Sequence, residues 1–114
     1  MAYDEQLADR IRNRLAELPN VEEKAMMGGL CFMYNDKMCV GIFRNELMCR
    51  IDPEIVDEVL NKQGCRQMEM NGRTMKGYVL VDETGMHTKK DFNYWIDLCL
   101  DFNSRAKSSK KKKK

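Results

Sequence analysis

Apolar residues recur at helical spacing in two stretches of the chain, one near each end. In the first stretch they lie three or four positions apart, at Leu7, Ile11, Leu15 and Leu18. This spacing predicts an amphipathic helix over residues 4–18, with Asp4 as the N-cap and Pro19-Asn20 as the stop. The second stretch predicts a helix from a Thr88 cap to about Ser104, because its apolar residues share one helical face. These residues are Phe92, Trp95, Ile96, Cys99 and Phe102.

Between these helices the apolar residues follow the pattern of strands. Residues 22–34 predict one strand that Gly28-Gly29 interrupts, by a bulge or by a close approach of two backbones. Residues 38–43 form a continuous apolar run and residues 46–51 alternate, so both predict strands of an antiparallel meander. Residues 66–70 and 74–81 flank Asn71-Gly72, a pair typical of a tight hairpin turn. The sequence therefore predicts three strands followed, after an interruption, by two more.

The interruption between the two groups of strands has the pattern of a helix. Asp52-Pro53 supplies an N-cap acid and a proline at the first helical position, and Gly64 follows the expected end near Lys62. The element order α-βββ-α-ββ-α predicts an α+β fold of two layers, with helices on one face of a five-stranded antiparallel sheet. We expect residues 1–105 to form this domain and residues 106–114 to be a disordered lysine-rich tail.

The charge of the chain is divided unevenly between the domain and its end. The formal net charge is +2, from 20 basic and 18 acidic residues. Seven of the 20 basic residues lie after Ser104 and no acidic residue does, so residues 1–104 carry a net charge of −5. An acidic body is unfavourable for nucleic-acid binding, because attraction to phosphates supplies most non-specific affinity. The tail keeps open one alternative, weak non-specific association with nucleic acid through its lysines.

The sequence shows neither the pattern of a secretory signal nor that of a membrane-spanning segment, and this bears on where the protein is located. The N-terminus is acidic, where a secretory signal would be basic and then apolar. No apolar run is long enough to cross a membrane. We therefore expect a cytoplasmic protein that has no membrane partner.

The candidate chemical groups do not form a catalytic or metal-binding motif. The five cysteines include no CxxC pair, which argues against a disulfide framework and against a zinc site. We expect these thiols to be buried as small apolar residues, with a redox sensor as the alternative. His87 is the only histidine and lies in a turn, so we expect it to be exposed. The sequence predicts no catalytic residue, no metal and no cofactor.

Methionine is unusually frequent, with 10 in 114 residues, and most of these fall on predicted strands. Strand alternation sends some of them to the sheet face away from the helices. Methionine fills irregular gaps in cores, and it also suits adaptable binding surfaces. Two interpretations therefore remain: packing within the chain, or an open sheet face that binds a protein partner or a second copy. The second predicts a contact that buries roughly 1,000 Å² or more.

The residues that we assign to partner binding lie along the predicted strands. They comprise the glycine pair, the cations near it on the strands and the glycine beside one of them: Lys24, Gly28, Gly29, Arg50, Lys76 and Gly77. The glycines are expected to shape the strands rather than to bind. If Lys24, Arg50, Lys76 and Arg73 lie on neighbouring strands, their positive charges could form a patch that binds anions. A phosphate-binding glycine loop is disfavoured, because no GxGxxG or GxxxxGK(S/T) pattern surrounds the pair and no long helix follows it.

Five segments together resemble a known family. They are residues 23–33 (EKAMMGGLCFM), 38–41 (MCVG), 47–50 (LMCR) and 72–79 (GRTMKGYV), with Trp95-Ile96. The chain from residue 2 to about 105 resembles the N-terminal domain of TfoX/Sxy-like competence regulators. The resemblance implies a two-layer α+β fold of the secretion-chaperone-like type. It also implies a non-enzymatic bacterial protein that regulates natural competence alongside a DNA-binding transcription activator. That activator and a homodimer partner are the protein partners we expect.

Overall fold

The computed structural model describes residues 4–26, 29–70 and 72–105. Its helices are α1 (Glu5–Arg14), α2 (Val56–Val59) and α3 (Lys89–Asn103), with short 3-10 turns at Pro53–Ile55 and Glu83–Gly85. Its strands are β1 (Val21–Met26), β2 (Gly29–Tyr34), β3 (Lys37–Phe43), β4 (Glu46–Arg50), β5 (Cys65–Met70) and β6 (Arg73–Val81). The α+β class is confirmed. The predicted tail, residues 106–114, lies outside the described residues.

The predicted number of five strands is wrong, because residues 22–34 form two strands rather than one. β1 pairs antiparallel with β2, with Val21 opposite Tyr34 and Met26 opposite Gly29. Only positions 27 and 28 separate the two strands, so the chain reverses where we expected a bulge. The described residues therefore follow the order α-ββββ-α-ββ-α. Their sheet has six strands in the order β1-β2-β3-β4-β6-β5, all paired antiparallel.

The predicted cap residues start the helices as expected. The Asp4 carboxylate accepts hydrogen bonds from the backbone N–H groups of Gln6 and Leu7. The Thr88 hydroxyl accepts one from Asp91 at 3.0 Å. Asp52 also caps as predicted, but the helix after it is shorter than residues 52–62, since a 3-10 turn occupies its first part. The prediction of the hairpin around positions 71–72 is confirmed by the pairing of β5 with β6.

The helices pack on one face of the sheet and form the inner layer with it. Buried residues of all three helices meet alternate residues of the central strands in one apolar cluster. Trp95 lies at its centre, 1% exposed, and its indole N–H donates to the Gly85 carbonyl at 3.1 Å. This bond fixes α3 to the turn that precedes it. The strand residues of the inner layer are Leu30, Phe32, Cys39, Val40, Ile42, Leu47, Cys49, Val79 and Val81, and Ile51 joins them just after β4.

Candidate functional site

A second apolar cluster lies on the sheet face away from the helices. The strand register places its members in a row across neighbouring strands. Cys31 is opposite Gly41, which is opposite Met48, and Met48 is opposite Leu80. We call this set the outer cluster, and each member is at most 7% exposed. Its members are Cys31, Met33, Met38, Met48, Met68 and Leu80.

The outer cluster is buried although the cluster contains only strand residues. Phe43, Met75 and Tyr78 are half-buried and pack against it. Arg50 extends across this face, where Nη1 donates to the Met38 carbonyl at 3.4 Å and the guanidinium lies 5.8 Å from the Tyr78 ring centroid. The aliphatic stem of an arginine covers apolar surface while its charge remains in water. We call Phe43, Arg50, Met75 and Tyr78 the outer rim.

Packing within the chain therefore accounts for the burial of these methionines. A partner that docks on this face meets the outer rim first, rather than exposed methionine side chains. The interpretation of the face as a docking surface stays a prediction, now attached to the rim.

The predicted site residues near the glycine pair lie at one end of the sheet. Lys24 is exposed on β1, opposite Cys31 of the outer cluster. Gly29 begins β2, and a Cβ at this position would lie only 1.8 Å from the Ile42 carbonyl oxygen. Close backbone approach thus explains why glycine stands there. Gly28 lies outside the described residues.

The structure separates the remaining predicted residues from Lys24. Arg50 ends β4, and two whole strands lie between it and β1, so Lys24 and Arg50 are roughly 14 Å apart at the spacing of neighbouring strands. Gly77 has a φ of +82°. It lies where the pairing of β5 with β6 shifts register, so β6 has a bulge here that interrupts the alternation of its side chains. Lys76 consequently lines a cleft of about 320 Å³ on the helix side, beside Pro53 and Val56. These cations therefore do not form one patch.

A larger cleft between α1 and α3 contains basic residues that the sequence did not single out as a site. We call it the α1–α3 cleft; its volume is about 590 Å³. Arg10 and Arg14 lie four residues apart on α1, so their shared helix face was readable from the sequence. The other side of the cleft depends on tertiary packing. Its lining residues are Arg10, Asn13, Arg14, His87, Lys89, Phe92 and Asn93.

Contacts with buried or polar neighbours hold both arginines of the α1–α3 cleft in place. The Arg10 guanidinium lies 4.2 Å from the Phe92 ring centroid, and its Nη2 donates to the Met86 carbonyl at 3.0 Å. Arg14 donates from Nε to Asn93 Oδ1 at 3.1 Å and forms an ion pair with Asp97. The two side chains are therefore anchored donors rather than free surface charges.

The thiols have the environment of apolar core residues. All five are free, and four are buried while Cys65 is half-buried. Burial raises the pKa of the Cys31 and Cys65 thiols to about 11, and burial also raises the pKa of the Cys39 and Cys99 thiols. A thiol with a raised pKa holds little thiolate near neutral pH, and the thiolate is the nucleophile.

The single histidine is exposed, as predicted, and its Nδ1 lies 2.8 Å from the Glu83 carboxylate. In the part of the chain that the structure describes, no group of three or more histidine, cysteine or carboxylate side chains is placed to hold a metal ion. None of the described helices is long and apolar enough to span a membrane.

Comparison with protein families gives a match over most of this fold. The model of the TfoX N-terminal domain matches residues 13–103, from the last two residues of α1 to the end of α3. The chain belongs to the TfoX N-terminal domain family. The resemblance carried by the glycine pair and the GRTMKGYV segment is thus confirmed, and both segments lie within the matched range. Searches of curated proteins and of solved structures find no significant match.

Proposed function

We propose that this protein is a non-enzymatic regulatory module of natural competence that acts by binding a protein partner. The observation that carries the proposal is the family match, which spans all six strands and most of the helical layer. The partner expected from the family resemblance is a DNA-binding transcription activator. Cytoplasmic location follows as part of the same proposal.

The proposed contact surface is the outer face of the sheet. It has no helix packed on its apolar cluster among the described elements, whereas the inner face is occupied by all three. Its outer rim combines Arg50 and Tyr78 with Phe43 and Met75, and these residue types are enriched in the centres of protein interfaces. Lys24 adds an exposed cation at the β1 end of the same face. Gly28 and Gly29 are proposed to shape this end of the surface.

Lys76 and Gly77 belong to the proposal in a different way. The Gly77 carbonyl accepts a hydrogen bond from the Ile51 N–H at 2.8 Å, which fixes the chain beside the end of β4. Gly77 thereby positions Tyr78 on the outer rim. Lys76 lies on the helix side, so we propose that it contacts a partner only where the partner extends around the β6 edge of the contact.

The absence of catalysis is supported by the chemistry of the available groups. The thiols have raised pKa values because they are desolvated, which makes them weak nucleophiles at neutral pH. His87 is exposed and bonded to Glu83, and it forms no hydrogen bond with a cysteine of the described residues. The positioned nucleophile and base of a hydrolase need to lie within hydrogen-bond reach of one another.

The experiment is deletion of the gene in the source bacterium, followed by measurement of transformation frequency and of DNA-uptake gene transcripts. We expect both to fall and to be restored by the wild-type chain. Complementation with Tyr78→Ala or Lys24→Glu should restore transcripts at least about fivefold less well, as expected for loss of an interface contact. The matched controls are Tyr94→Ala and Lys62→Glu, on exposed residues of the helical side.

Each outcome of this experiment decides one part of the proposal. Unchanged competence in the deletion strain contradicts a regulatory role. Normal complementation by both outer-face variants, at wild-type protein levels, contradicts the sheet as the contact surface. An equal loss of complementation in the control variants also contradicts the sheet as the contact surface. Light scattering of the purified chain decides whether a second copy is a partner, because a homodimer doubles the mass of 13.4 kDa.

A further inference from the structure

The α1–α3 cleft has a charge opposite to that of the body around it. Its lining contains Arg10, Arg14 and Lys89 and no carboxylate, although residues 1–104 carry a net charge of −5. The smaller clefts that the structure describes each include at least one acid. Their acids are Asp57 in one, Asp4 and Glu83 in another and Glu23 in a third. Among these four clefts, the α1–α3 cleft is the one whose charged lining residues include cations and no acid.

Two of its cations have no carboxylate partner among the described residues. The Arg10 guanidinium contacts a carbonyl oxygen and an aromatic ring, so most of its five N–H donors remain for a ligand. Lys89 is exposed and forms no hydrogen bond or ion pair with any other described residue. By contrast, Arg14 forms an ion pair with Asp97, which lies outside the lining. Arg10 and Lys89 thus supply two positive charges that no ion pair with a described residue balances.

Further donors face the same space. Asn93 accepts from Arg14 through Oδ1, which leaves its amide NH₂ group as a donor. Lys89 is also the first residue of α3, a helix of 15 residues whose first-turn N–H groups lack partners within the helix. The Thr88 hydroxyl accepts the Asp91 N–H and its carbonyl accepts the Phe92 N–H, so the N–H groups of the first two helical residues stay unpaired within the helix and add to the attraction for an anion.

The geometry points to a ligand class: we propose that the α1–α3 cleft binds a small molecule through a diphosphate group. The two unbalanced charges match a group with at least two negative charges, and arginine forks bind phosphate oxygens in pairs. A volume of about 590 Å³ is within the range of small-molecule sites. Phe92 is the single apolar residue of the lining and is 4% exposed, so the cleft lacks the apolar anchors of a peptide site.

This site is independent of the outer face and of the proposed regulatory contact. The test is calorimetric titration of the full chain with pyrophosphate, ADP and inorganic phosphate, together with amide shifts from nuclear magnetic resonance. We expect pyrophosphate and ADP to bind with Kd below about 1 mM, more tightly than inorganic phosphate. The largest shifts should fall on residues 10–14 and 87–93. Tighter binding of ADP than of pyrophosphate identifies a nucleotide, and equal binding identifies the diphosphate group alone.

A pair of neighbouring lysines supplies a matched control. Lys89 lines the cleft, whereas Lys90 is exposed in the same helical turn and is absent from the lining. Lys89→Gln should weaken pyrophosphate binding about tenfold through loss of a charged contact, and Lys90→Gln by less than about twofold. Arg10→Gln should abolish binding, with circular dichroism to verify its fold. Both lysine variants keep the lysine-rich tail unchanged. If pyrophosphate bound to the tail instead of the cleft, the two substitutions would therefore have the same effect on its affinity.

Three results overturn the proposal. They are no binding of pyrophosphate or ADP, equal weakening by the two lysine substitutions, and amide shifts confined to residues outside the cleft. Lys89→Gln changes an exposed side chain and should leave the fold intact. The binding measured for this variant therefore tests the proposal even if Arg10→Gln does not fold.

Discussion

Truncation of Met48 to alanine tests whether the outer cluster is a packed layer in its own right. Met48 is 1% exposed and stands between Gly41 and Leu80 in the sheet. Its terminal methyl carbon lies 2.9 Å from the position of a Cβ on Gly41, so it fills the space which that glycine leaves open. Glycine has no side chain with which to refill the void after truncation.

The expected cost follows from this packing. Full burial of a methionine side chain contributes about 1.5–3 kcal/mol, and a cavity that does not collapse adds to the loss. We therefore expect Met48→Ala to lower the free energy of unfolding by about 3 kcal/mol. Leu47→Ala, on the same strand but facing the helices and 0% exposed, should cost a similar amount. Lys24→Ala, exposed on β1, should change stability by less than about 0.5 kcal/mol.

Urea denaturation followed by far-ultraviolet circular dichroism measures these differences. The slope of unfolding free energy against urea should remain that of the wild type, so that the midpoint alone reports stability. A loss below about 1 kcal/mol for Met48→Ala, beside a full loss for Leu47→Ala, would refute a packed outer layer. A wild-type midpoint that rises with protein concentration would show that the folded chain associates with a second copy.

Three further predictions address single positions. Gly29→Ala should destabilise the fold by at least about 2 kcal/mol, because its Cβ would meet the Ile42 carbonyl oxygen at 1.8 Å; an unchanged thermal midpoint contradicts that approach. The hydrogen bond from Arg12 lowers the pKa of Glu23, so this pair stabilises the fold above the ordinary carboxyl pKa and the effect is lost as pH falls through the lowered value. Glu23→Gln should therefore flatten the fall of the urea midpoint in acid, and an unchanged pH profile would argue against the pair. Cys65 should be the first thiol of the native protein to react with a disulfide reagent at mildly alkaline pH, more slowly than free cysteine because burial raises its pKa to about 11; rapid reaction of several thiols would show that the core is open.

The helix caps were predictable from sequence because they depend on local bonds. Asp4, Asp52 and Thr88 each accept the backbone N–H groups that their positions suggested. The number of strands was not predictable in the same way. A glycine pair suits both a bulge and a reversal, and the choice depends on whether β1 folds back to pair with β2, which the alternation of side chains does not decide. Sequence periodicity identified β1 and β2 as extended but did not separate them.

In the candidate sites, the sequence predicts which residues share one element, but it does not predict which residues the packing of separate elements brings together. Arg10 and Arg14 share a helix face that their spacing predicts, yet Lys89 and Asn93 join them only through the packing of α1 against α3. Lys76 was placed with the strand cations by simple alternation, which the positive φ of Gly77 interrupts. A glycine inside a strand often marks a bulge, but its presence does not say which neighbouring side chain changes face.

The position of Trp95 provides the protein with a built-in optical reporter. It is the only tryptophan of the chain, and the carbonyl that holds its indole belongs to Gly85, two positions before His87. A shielded indole fluoresces at short wavelength, and its emission changes when its hydrogen-bond acceptor moves. We therefore expect binding in the α1–α3 cleft, which His87 lines, to change the intrinsic emission of Trp95 in dilute solution, without a dye, a tag or an engineered probe.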